Sequence, residues 1–184
     1  MVLTKTPICN FGDKAHPFKL KGVDNKIYNF EDCTGQNGTL ITFICNHCPY
    51  VKAVIKNIVN DSISLKSIGI ETIAIMSNDT KKYPDDSFEK MLEFSKINKF
   101  QFPYLIDETQ EVAKKYGAVC TPDFFGYNNK LELQYRGRIR ELKNLKPITT
   151  GESDLLLAMK DVAKNGKGPQ NQTPSMGCNI KWFE

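Results

Sequence analysis

No run of five or more like charges occurs in the chain: 25 Lys and Arg are interleaved with 21 Asp and Glu, leaving a net charge of +4 spread along the sequence. This excludes the concentrated basic face that a nucleic acid or a membrane surface selects, and neither partner is expected. No apolar stretch approaches the ~20 residues that cross a bilayer. The opening Met1-Val2-Leu3-Thr4-Lys5-Thr6-Pro7 holds no apolar core of the secretory kind. No signal peptide is therefore expected, and the expected setting is cytoplasmic, where thiols rest reduced. Histidine is scarce, with only His16 and His47, and neither an H-x-x-x-H nor a second C-x-x-C is present. The usual four-ligand structural zinc site is thus incomplete in sequence. Internal repeats and low-complexity tracts are also missing. The 184 residues, 40% of them hydrophobic, fit one domain spanning 1–184 with an adequate core.

What the chain does hold is cysteine. Six are present, at positions 9, 33, 45, 48, 120 and 178. Their irregular spacing does not read as a structural disulfide framework, so catalytic or sensing thiols are the expectation. Two of them stand in Cys45-Asn46-His47-Cys48-Pro49. This stretch follows the apolar, β-branched run 40–44, read as a buried strand. It precedes a segment in which Val51, Val54, Ile55 and Ile58 recur at helical spacing. Pro49 suits the first helical turn, where its missing N–H costs nothing. The unpaired N–H groups and the positive end of the helix dipole then favour a thiolate at Cys45, and a protonated His47 adds to this. Cys45 is expected to titrate below the ordinary ~8.5, to attack a disulfide, and to be resolved by Cys48. The other reading is a metal-binding module, with Cys45, Cys48 and His47 or Cys120 holding zinc or Cu(I). No cofactor is otherwise expected.

Taken in order, residues 1–16 read as an irregular arm. Segments 18–20 and 26–30 alternate apolar and polar across 22–25, as a β-hairpin. Cys33 lies in a polar loop. After the strand at 39–45, a helix over 48–66 is expected to stop near Gly69, followed by a strand at 70–76. Ser77-Asn78-Asp79-Thr80 is then a polar loop. Ser87 is expected to cap a helix over 88–99, and Thr109 one over 110–116 that ends at Gly117. A short strand over 103–106 lies between them. A strand entered at 119–125 turns back at Asn128-Asn129 into 131–135. A last helix covers 152–164, and a tail carries Cys178 and Trp182. Alternating strands and helices predict an α/β fold with a central mixed β-sheet flanked by helices, whose parallel strands end on the edge that carries Cys45.

The Cys45-Asn46-His47-Cys48-Pro49 stretch after a strand, and Thr121-Pro122 opening a later one, resemble the thioredoxin superfamily. Phe43-Ile44-Cys45-Asn46-His47-Cys48-Pro49-Tyr50-Val51-Lys52, Ser77-Asn78-Asp79, Cys120-Thr121-Pro122-Asp123-Phe124-Phe125 and Gly177-Cys178-Asn179-Ile180-Lys181-Trp182 are similar to the peroxiredoxin-like redoxins of the AhpC/TSA type. The resemblance implies a thioredoxin-like fold with an N-terminal β-hairpin extension, and an antioxidant thiol–disulfide oxidoreductase. Its substrate would be a disulfide-bearing protein or a small thiol, and its electron donor of the thioredoxin or glutathione type. It implies Cys45 and Cys48 as the redox pair and Pro122 as a cis-proline that sets the Thr121 backbone beside Cys45, where an extended substrate could pair. His47, Thr121 and Pro122 are the supporting residues, with Cys120 and Cys178 as candidate additional redox thiols.

Peroxide reduction would further need the P-x-x-x-T-x-x-C pattern. Thr42 stands three before Cys45, but Gly38 holds the proline position, and Arg136 is the candidate for the supporting arginine. Thioredoxins also bury a carboxylate behind the site. Residues 39–44 carry none, and Asp79 and Asp123 are substitutes by position only.

Overall fold

Strand β4 (Gly38–Phe43) is buried along its whole length. Successive side chains point to opposite faces, so a strand covered on both sides must be apolar or β-branched in both rows. Leu40 and Ile44 enter one apolar layer, while Ile41 and Phe43 enter the other. The computed structural model describes residues 2–184. In it β4 lies within a seven-stranded sheet. The spatial order is β3 (Ile27–Asn29), β2 (Lys19–Gly22), β6 (Tyr104–Ile106), β5 (Ile70–Met76), β4, β8 (Asp123–Asn128) and β9 (Leu133–Tyr135). β4, β5 and β6 are parallel, and β8 and β2 join them antiparallel. The mixed sheet with flanking helices is the thioredoxin-like fold the sequence predicts. The predicted hairpin, β2 with β3, is fused to it through β6.

Helix α1 (Pro49–Ser67) has Pro in its first turn and buries Val51, Val54, Ile55, Ile58 and Leu65. Each such side chain contributes about 1.5–3 kcal/mol by leaving water. Helix α2 (Phe88–Ile97) starts at Ser87, whose hydroxyl accepts the Lys90 N–H at 3.4 Å. Helix α4 (Asp154–Asn165) starts at Ser153 and ends at Gly166, which has φ +71°. α1, α2 and α4 cover one face of the sheet, and α3 (Glu111–Tyr116) covers the other. Thr109 is not the main cap of α3. Asp107, at the end of β6, accepts the Ala113 N–H at 2.9 Å and the Val112 N–H at 3.4 Å, so a buried carboxylate holds the helix start.

The ends of the chain differ from expectation. Residues 1–16 are not wholly irregular: β1 (Leu3–Lys5) pairs with a strand of the tail, β12 (Met176–Asn179). β12 pairs in turn with β7 (Cys120–Thr121), forming a second, three-stranded sheet. The expected strand at 119–125 is therefore two strands, β7 and β8, divided at Pro122. A small hairpin, β10 (Leu142–Lys143) with β11 (Lys146–Pro147), precedes α4. Among the described residues no helix is long and apolar enough to cross a membrane.

Candidate active site

β4 delivers its last backbone bond when Ile44 N–H meets the Ile75 carbonyl at 3.0 Å, and Cys45 is the next residue. Cys48 is the N-cap of α1, its carbonyl accepting the Lys52 N–H at 3.0 Å. Both cysteines thus occupy the turn between the carboxyl edge of the sheet and a helix N-terminus, where ligand sites of open α/β sheets lie. Both are buried, and their thiols are hydrogen-bonded to each other.

Thr121 closes the site from across the sheet. Its peptide bond to Pro122 is cis, as the resemblance implies. The Thr121 hydroxyl lies 3.4 Å from Cys45 Sγ, and its carbonyl accepts the Cys48 thiol at 3.1 Å. The Thr121 backbone is not open to a substrate, however: β12 is already paired there, with Cys178 opposite Thr121. The tail whose place the sequence leaves undefined therefore brings Cys178 Sγ to 2.9 Å from Cys48 Sγ. Cys120 takes no such part. Its thiol faces the Pro122 carbonyl at 3.7 Å, and burial pushes its pKa far up.

The two residues between the cysteines are held by a carboxylate the sequence does not single out. Asp86 is fully buried in the 3-10 turn Pro84–Asp86. It accepts the Asn46 N–H at 2.8 Å, the Asn78 side-chain amide at 2.8 Å, and approaches His47 Nδ1 at 2.6 Å. Burial opposes its charge, yet the bonds from His47 and Asn78 hold its carboxyl below the usual range. Asp86 in turn raises the pKa of His47. Asn46 is fixed from both ends, accepting the Tyr104 hydroxyl at 2.9 Å and donating to the Asp85 carbonyl at 3.0 Å. The Ser77-Asn78-Asp79 loop was the available signal, because it leaves the same sheet edge. Nothing in local spacing marks which of the acids beyond it turns inward.

These contacts reverse the expected ionisation. Cys48, not Cys45, is the thiol whose pKa is lowered. The hydrogen bond with Cys45 outweighs burial, and the contacts with Cys178 and Thr121 lower it further. Cys45 is pushed well up by holding the shared proton, by burial, and by the Asp86 charge. His47 bonds Asp86, and that bond is the largest cause of its raised pKa. The residue sitting at the helix terminus is the cap, Cys48, and the Val51 N–H lowers its pKa further.

The remaining candidates bond away from the two cysteines. Arg136 pairs with the fully buried Asp123 at 3.1 Å, donates to the Gly117 carbonyl at 2.7 Å, and lies over the Phe125 ring. Burial raises the Asp123 carboxyl to about 6 against that guanidinium. Asp79 caps its own loop, accepting the Lys81 N–H at 2.9 Å. Thr42 is buried in β4, with no hydrogen-bond partner for its hydroxyl among the described residues. The donor atoms of Cys45, His47 and Asp86 lie within 4.8 Å of one another. That trio differs from the anticipated metal set, since Asp86 stands in place of Cys48.

The chain is similar to solved structures over its whole length. It is 38% identical to an uncharacterized conserved protein from Geobacillus kaustophilus, covering 100% of this chain and 97% of that one, with a TM-score of 0.93. It is 32% identical to a hypothetical protein from Sinorhizobium meliloti, covering 98% of each chain, with a TM-score of 0.90. A secreted disulfide oxidoreductase from Mycobacterium tuberculosis shares the fold at 13% identity, covering 64% of this chain and 80% of that one, with a TM-score of 0.55. No curated protein matches the chain. Residues 11–142 match the AhpC/TSA family, and the chain belongs to that family.

Proposed function

We propose that the chain is a thiol–disulfide oxidoreductase in which Cys45 and Cys48 alternate between dithiol and disulfide. The observation that carries this is the pair itself: two buried cysteines in the turn that opens a helix, with Thr121 against both. At rest the Cys45–Cys48 pair shares one proton. When a substrate disulfide arrives, Cys45 passes that proton to Cys48 and attacks, forming a mixed disulfide and expelling a substrate thiolate. The leaving thiolate takes the proton from Cys48. Cys48 then attacks Cys45 Sγ, releasing the second substrate thiolate and leaving the Cys45–Cys48 disulfide. A reduced donor thiol reverses the sequence. Cys45 is assigned the attack because its sulfur lies within 4.8 Å of the partly exposed His47 ring, whereas Cys48 faces the tail.

The arrangement supports disulfide exchange better than peroxide reduction, since Arg136 is committed to Asp123 and Gly117. The test is trapping with a small-molecule disulfide. Cys48→Ser should accumulate a mixed disulfide on Cys45, and Cys45→Ser should accumulate none. An adduct confined to Cys45→Ser would reverse the two roles, and no adduct in either would end this reading.

A second reading rests on the Cys45, His47 and Asp86 trio, a mixed donor set suited to zinc. Metal content after purification under reducing conditions decides it. Stoichiometric zinc that is lost in both Cys45→Ser and Asp86→Asn would favour a metal site over redox exchange.

A further inference from the structure

The tail strand β12 lies along Thr121, where an extended substrate strand was expected, and it brings a cysteine with it. Cys178 is opposite Thr121 in the ladder, and its sulfur is 2.9 Å from Cys48 Sγ. Such an approach is close enough for exchange with little movement of either backbone.

The contact is built in from both sides. A Cβ at Gly177 would run into the Thr121 carbonyl oxygen and the Pro122 nitrogen, so a glycine is needed for β12 to come this near. Ser175 donates to the Pro122 carbonyl at 2.8 Å, and its own carbonyl accepts the Thr6 N–H at 2.9 Å. Beyond Cys178, the Lys181 carbonyl accepts the Asp79 N–H at 2.8 Å and the Gln110 side-chain amide at 2.8 Å. The Lys181 N–H meets Asn78 Oδ1 at 2.9 Å. The same Asn78 bonds Asp86, so the tail and the Cys45–Cys48 turn share an anchor.

We propose that Cys178 is a third redox thiol, exchanging with the Cys45–Cys48 disulfide to give a Cys48–Cys178 disulfide and restore the Cys45 thiol. The step deepens the reading above and rests on it. Cys178 sulfur attacks Cys48 Sγ, the Cys45–Cys48 bond breaks as the Cys48–Cys178 bond forms, and the proton of Cys178 passes to the departing Cys45 sulfur. The exchange is electron-neutral, because the substrate disulfide has already supplied the oxidising equivalents. Its product stores the oxidised state between α1 and the tail, away from the attacking residue.

The experiment is disulfide mapping by mass spectrometry on the full chain, reduced, treated with oxidised glutathione, and alkylated. Wild type should yield both Cys45–Cys48 and Cys48–Cys178 linked peptides. Cys45→Ser should yield Cys48–Cys178 directly, and Cys178→Ser should lose that species completely while keeping Cys45–Cys48. Wild type that forms Cys45–Cys48 with Cys178 wholly alkylated overturns the proposal and leaves the oxidoreductase reading standing. If no Cys45–Cys48 link forms while Cys48–Cys178 does, the proposed dithiol pair fails instead. The wild-type map decides the question even where a variant does not fold.

Discussion

His47 Nδ1 and Asp86 Oδ2 are 2.6 Å apart, and the pair ties the middle of the Cys45–Cys48 turn to the loop that follows β5. A half-buried imidazole and a fully buried carboxylate stabilise each other's charge, with Asp86 held below its usual range and His47 above. Asp86 contributes stability above its unfolded pKa of about 4, and that contribution is lost as pH falls through its lower folded value. The contribution of His47 is full below its unfolded pKa of about 6.5, and is lost as pH rises through its raised folded value. The pair therefore supports the fold most between about pH 4 and 6.5. Asp86→Asn should destabilise by about 1–3 kcal/mol, because buried donors lose their charged acceptor. The loss should be larger at mildly acidic than at alkaline pH, and the His47 ring should titrate closer to ~6.5 by NMR. An unchanged His47 titration would show that the pair is not formed.

The thiol titration has an equally definite sign. Alkylation rate against pH should report one thiol ionising below the ordinary ~8.5, and that thiol should be Cys48. Its thiolate is present at neutral pH and disappears as pH falls. Cys45→Ser should raise the value, since the Cys45 S–H is its main stabiliser. A low-titrating thiol that survives Cys48→Ser but not Cys45→Ser would transfer the thiolate to Cys45.

Gly177→Ala tests the fit of the tail. The added methyl collides with the Thr121 carbonyl, an overpacking that should cost about 1–3 kcal/mol. Cys178, now shifted from Cys48, should alkylate faster than in the wild type, while an alanine in place of exposed Gly12 should not speed it. Equal Cys178 reactivity in Gly177→Ala and wild type would mean that β12 does not depend on this approach.

Arg136 separates a structural role from a peroxide role. Arg136→Met leaves Asp123 buried without its partner and should cost about 3–5 kcal/mol by urea unfolding. Exchange with a small disulfide, corrected for the folded fraction, should be unchanged. Rapid peroxide consumption by wild type, abolished in both Arg136→Met and Cys45→Ser, would instead place Arg136 in a peroxidase site.

What the sequence determined by itself was local. The β-branched run before Cys45, the helical spacing of Val51, Val54, Ile55 and Ile58, and Pro49 at the first turn fix a strand–turn–helix, because periodicity and proline geometry act within a few residues. Ser87 and Gly117 marked their helix ends for the same reason. Tertiary structure decided the rest. Cys48 and Cys178 are 130 residues apart in sequence, and Asp86 lies about 40 from Asn46 and His47, so no local pattern records their contact. Asp107 displaced Thr109 as the cap of α3 because the end of β6 carries it directly under the helix start. Which cysteine holds the thiolate was likewise decided in three dimensions. Both lie near the helix terminus, but Cys48 touches two other thiols, Cys45 and Cys178, while Cys45 faces a buried carboxylate.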